Sequence, residues 1–65
     1  MRGVVASFEP DGWGVVRSPE GAEHPFHSTA IADGSRQIDV GTSVEFTLVP
    51  GRSGRWEATA LTPVP

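Results

Sequence analysis

Asp11-Gly12-Trp13-Gly14-Val15-Val16 is the stretch around which the chain is organised. Pro10-Asp11-Gly12 carries strong turn chemistry, because proline fixes φ and glycine accepts positive φ. Val15 and Val16 are β-branched and favour a strand. Trp13 therefore opens a strand directly after a turn, between two residues that have no side chains to shield it. Two orientations are open to its indole. It can stand off the sheet, where a large flat ring suits stacking on a nucleobase, or fold back and pack.

Working outward, turn signals recur at short intervals on both sides. Gly3–Phe8 is a first strand with Val5 pointing to the core, and Trp13–Ser18 is the second. Pro19-Glu20-Gly21 turns the chain into a third strand, Glu23–Ser28. Pro25 lies within that strand and lacks the ladder N–H, so a local break in pairing is expected there. A single helical turn after Ser28 leads into the polar connection Ala32-Asp33-Gly34-Ser35-Arg36. Val44, Phe46 and Leu48 then alternate with Glu45, Thr47 and Val49, the period of a strand with one buried face. After the loop Pro50–Gly54 comes a fifth strand, Arg55–Leu61. The remainder, Thr62–Pro65, is expected to be a flexible tail outside the ladder.

Sixty-five residues make a single domain, 1–65, with a thin core. A chain of this length buries only about 60% of the surface it exposes when unfolded. With no cysteine, neither a disulfide framework nor a thiolate zinc site can staple it. Five short antiparallel strands leave edges that must be managed, and closure into a small five-stranded barrel of the OB type does so economically. The expected class is all-β.

With the strands placed, the sequence resembles a cold-shock domain over nearly its whole length. That family opens with Gly-(Ile/Val)-Val-Lys-Trp-Phe, matched here by Gly3-Val4-Val5-Ala6-Ser7-Phe8. Its second-strand motif, Lys-Gly-Phe-Gly-Phe-Ile, corresponds to Asp11-Gly12-Trp13-Gly14-Val15-Val16. Its third, Val-Phe-Val-His-Phe-Ser-Ala-Ile, aligns with His24-Pro25-Phe26-His27-Ser28-Thr29-Ala30-Ile31, and Gly-x-x-Val-x-Phe is Gly41-Thr42-Ser43-Val44-Glu45-Phe46. The resemblance to the bacterial members of this family implies an OB-type barrel that stacks single-stranded RNA or DNA on aromatic side chains of its first three strands. Carried over position by position, the base-contacting residues are Phe8, Trp13 and His27, with Val15 sharing the outward face of Trp13.

Several family positions are changed. The first-strand Trp is Ser7, the second Phe of strand two is Val15, the two third-strand Phe are Pro25 and Ser28, and Ala6 and Asp11 stand at lysine positions. Net charge is −3, and all five basic residues are arginines. Arg17, Arg36, Arg52 and Arg55 are the candidate phosphate contacts, since arginine pairs with phosphate in a fork and also stacks on bases. The lost stacking positions imply weak binding without strict sequence choice, and the few cations imply a shallow salt dependence. A cationic His27 would make binding strengthen as pH falls.

Trp56, beside Arg55, has two readings. If Ala60 faces the core, parity turns Ala58 and Trp56 inward as packing at the barrel end. Otherwise Trp56 and the nearby arginines form a second ligand contact. His24 and His27 are three apart on a strand and face opposite ways, so no metal site is expected. No nucleophile–base arrangement or phosphate-cradling loop occurs, so neither enzyme activity, cofactor nor small-molecule substrate is expected. With no long apolar run, the chain is expected to be cytoplasmic, without a membrane partner. A monomer is expected, a dimer left open. The rival function is a barrel that has lost nucleic-acid binding and serves protein interaction or self-association, with exposed tryptophan as its hot spot.

Overall fold

Proline and glycine cut the chain into runs of five to eight residues, and each run forms a strand. The computed structural model describes residues 1–51 and 54–64. In order come β1 (Arg2–Phe8), β2 (Trp13–Arg17), β3 (Glu23–His27), a 3-10 turn (Ser28–Ala30), β4 (Ser43–Pro50) and β5 (Trp56–Pro63). All pairings are antiparallel and the sheet order is β3-β2-β1-β4-β5. The two edges meet where Ile31 bridges Leu61 and the Ala32 N–H donates to the Leu61 carbonyl at 2.8 Å. That closure makes the expected five-stranded barrel.

Inside it lie Val5, Val16, Phe26, Ile31, Val44, Phe46, Ala58 and Leu61. Val44 and Phe46 hold the alternation read from the sequence, and Leu48 continues it half-buried at the barrel end. Two irregularities reset the parity elsewhere. In β1 the register shifts between Val5 and Ser7, so that Ser7 lies opposite Val15 and Phe8 opposite Gly14. The extra residue, Ala6, turns Ser7 outward and Phe8 inward, the reverse of simple alternation from Val5. In β5 the shift falls opposite Glu45 and Thr47, where Ala60 takes φ 55°. Ala60 is exposed, whereas Ala58 and Leu61 on either side of it are buried.

Three expectations are corrected. Ala60 does not face the core, because the bulge hands that place to Leu61. Pro25 causes no break: β3 keeps an unshifted register with β2 from Trp13↔His27 to Arg17↔Glu23. A residue in an antiparallel ladder turns its N–H to a given neighbour only at alternate positions, and an edge strand leaves the other side free. Residues 62 to 64 are no loose tail either, since Thr62 pairs with Glu45, Pro63 with Val44, and the Val64 N–H donates to the Ser43 carbonyl at 2.9 Å. Pro65 lies outside the described residues.

Candidate nucleic-acid interface

Strand pairing assembles one outward face from three strands. Trp13, Val15 and Arg17 point out from β2, and they lie opposite His27, Pro25 and Glu23 on β3. On the other side of β2, Ser7 faces Val15 and Val4 faces Arg17. The face therefore runs from an aromatic end, through a small apolar middle, to a charged end.

Trp13 is held at the aromatic end by its neighbours. A Cβ on Gly14 would lie 2.6 Å from both the Phe26 ring and the Ser7 carbonyl oxygen, so only glycine lets β2 settle on the core here. Gly12 takes φ 94°, and a Cβ there would come within 3.2 Å of His27 Nε2. The Trp13 N–H donates to Asp11 Oδ1 at 3.0 Å, fixing the entry from the turn. The indole stands 43% exposed, with the His27 ring edge-on at 5.0 Å and 74°. Of its two possible orientations, the outward one is adopted.

His27 also caps the 3-10 turn. Its Nδ1 accepts from the Thr29 N–H at 3.3 Å, with Thr29 Oγ1 at 3.1 Å. An accepting Nδ1 requires the neutral ring with its proton on Nε2. His24 points to the other face and tilts over Phe46 at 6.0 Å.

Phe8 does not join Trp13. The β1 bulge turns it inward, where it stacks on Phe26 at 5.9 Å and 5°. Its accessible part lines a cleft of about 530 Å³ between the turn Glu9–Gly12 and the segment Arg36–Asp39. Arg36 reaches that cleft from a backbone at φ 59°. Nearby, the Ser35 N–H donates to Asp33 Oδ1 at 2.8 Å and holds that carboxyl below its ordinary pKa.

The arginines divide by location. Arg17 directs Nε (3.2 Å) and Nη2 (2.7 Å) at Glu23 Oε2. Arg2 lies 3.5 Å from Glu45. Both strand-borne arginines are thus paired, whereas Arg36 and Arg55, in connections, have no carboxylate within 4 Å among the described residues. Arg52 lies outside the described residues. The Arg17–Glu23 pair escaped the sequence reading although its signal was present: a hairpin turning around Glu20 brings residues 17 and 23 opposite each other.

Trp56 sits on the parity of Ala58, as expected, yet it is 57% exposed. It pairs with Pro50 at the end of the β4–β5 hairpin, which runs past the core. The inward-packing reading is therefore corrected: parity points Trp56 to the core side, but no core extends that far.

No family model matches this chain, and no curated protein matches it. Among solved structures, one titled Drosophila Unr CSD456 matches 98% of the chain at 37% identity and a TM-score of 0.80. The chain spans 26% of the length of that structure. Its likeness in fold and sequence supports a cold-shock domain.

Proposed function

We propose that this cold-shock-type barrel binds single-stranded nucleic acid, RNA or DNA, through the outward face of β1–β3. The observation that carries the reading is Trp13, exposed and braced edge-on by His27, with the Val15–Pro25 pair next to it on the same face. One base stacks on the indole and contributes about 1–3 kcal/mol. A second base reaches the imidazole of His27, which presents Nε2–H as a donor. Ser7 and Val15 offer no further ring, so binding is weak and reads little sequence. The domain acts by keeping short segments unpaired, a role in RNA chaperoning or control of gene expression.

Phosphate contacts come from the arginines of the connections, Arg36, Arg52 and Arg55, because Arg17 already has a carboxylate partner. Each phosphate neutralised on a single strand contributes about −0.7 to the slope of log K against log salt, so three give a slope no steeper than about −2. Trp56 and Arg55 together make a lesser contact at the hairpin end, an aromatic with a cation beside it.

The paired strand arginines and the exposed Trp56–Pro50 corner favour a second reading, a protein-interaction or self-association module. Anisotropy of labelled oligonucleotides at low salt separates the two. A pyrimidine-rich single strand should bind in the micromolar range, while the same sequence as a duplex should not. Equal binding of both forms, or of neither, contradicts the proposal.

A further inference from the structure

Arg17 stands on the proposed binding face, on the same side of β2 as Trp13 and Val15 and four residues from the indole. At about 3.3 Å per residue, roughly 13 Å separates them along the strand, a span of about two nucleotides. Arg17 is the strand-borne cation best placed to hold a phosphate of a segment stacked on Trp13. Its guanidinium is not free to do so. Nε and Nη2, the side-on edge of the fork, both donate to a single oxygen of Glu23. That edge is one a phosphate would take, and a carboxylate offers it the same geometry and charge. The pair is neutral as a whole, so while it holds it neutralises no phosphate and displaces none of the cations condensed on the nucleic acid.

We infer that Glu23 is an internal competitor for phosphate: it occupies the fork of Arg17 and lowers the affinity of the face for single-stranded nucleic acid. The inference rests on the single-strand reading above and adds a residue that opposes it. Both partners are about half exposed, at 56% and 51% of the side chain, so the contact is one that water and a phosphate can reach. Exposed cross-strand pairs of this kind contribute little to stability. Removing the carboxylate therefore changes the surface and leaves the barrel. With Glu23 gone, Arg17 regains a full positive charge and one phosphate contact.

The test measures log K against log salt between about 50 and 200 mM for a labelled thymidine oligonucleotide, a range over which the single-strand relation applies. It compares the parent, Glu23→Gln, Arg17→Gln and the double variant. Glu20→Gln serves as control, because it changes net charge equally from the exposed turn without touching Arg17. Glu23→Gln should steepen the slope by about 0.7, so that lowering salt fourfold gains it about 2.5-fold more affinity than the parent gains. The double variant should return to the parent slope and Glu20→Gln should match it, whereas Arg17→Gln alone, which leaves Glu23 unpaired, should be no steeper than the parent. An unchanged slope in Glu23→Gln, with the parent still binding, overturns the competitor role alone. So does a slope shallower than the parent's in the double variant, which removes Arg17 without leaving an unpaired Glu23, since Arg17 would then already hold a phosphate. If the parent and every variant fail to bind, the single-strand reading itself falls.

Discussion

Trp13 and Trp56 both reach solvent, and they do so for different reasons. Trp13 is 43% exposed within a three-stranded face, between a glycine that the core forbids from carrying a Cβ and another held at positive φ. His27 braces it from the neighbouring strand. Trp56 is 57% exposed because the β4–β5 hairpin outruns the core, with Pro50 its cross-strand neighbour. The more exposed ring is thus the less organised one. Exposure by itself does not mark a site; what separates the two is how much of the surrounding structure fixes the ring's position.

The largest effect that can break this comparison lies beneath Trp13. Phe26 supports Gly14 from below and stacks on Phe8, so Phe26→Ala should cost about 3–5 kcal/mol in urea denaturation. Trp56→Ala should stay within about 0.5 kcal/mol of the parent in the same measurement, as surface substitutions usually do. A Trp56→Ala cost as large as that of Phe26→Ala would make the hairpin end part of the core. Next is Gly14→Ala, whose Cβ must displace the Phe26 ring or the Ser7 carbonyl. Overpacking of that kind costs about 1–3 kcal/mol. Its oligonucleotide response should weaken as well, because the indole rides on the same strand. A variant as stable as the parent would show that the close approach at Gly14 does not position β2.

The smallest effect sharpens the Trp56 side. Ala60 holds φ 55° at the β5 bulge, a conformation that glycine adopts without strain. Ala60→Gly should raise the stability by about 0.5 kcal/mol, the relief of strain exceeding glycine's entropy cost, and leave oligonucleotide affinity alone. A drop in stability would mean that the bulge does not store the strain assigned to it.

Much of this architecture was legible in the residues. Turn chemistry at Pro10–Gly12 and Pro19–Gly21, and alternation over Val44–Val49, placed the strands and named Val5, Val44 and Phe46 as core. What escaped was decided by single residues without a signature. Alanine at positions 6 and 60 gives no sign that a strand will bulge, yet those two bulges decide where Phe8 and Leu61 point. Pro25 and Pro63 read as interruptions, because a sequence does not show which backbone edge a strand leaves unpaired. Trp56 was misplaced for a different reason: parity predicts a side, and only the length of the core beneath it decides burial. On the outward face, the places of Trp13 and His27 were legible from their motifs, whereas the pairing of Arg17 required the register of β2 against β3.

The central claim is that Trp13, and not Trp56, is the ring that meets a base. The chain has two tryptophans and no tyrosine, so each single-tryptophan variant reports on one ring. Trp56→Phe leaves Trp13 as the only indole, and Trp13→Ala leaves Trp56. Titrated at low salt with a pyrimidine-rich single strand, Trp56→Phe should be quenched with near-parental affinity. Trp13→Ala should lose most of the quench and about 1–3 kcal/mol of binding. A quench that survives in full in Trp13→Ala and is absent from Trp56→Phe would contradict the account and move the binding surface to the β4–β5 hairpin.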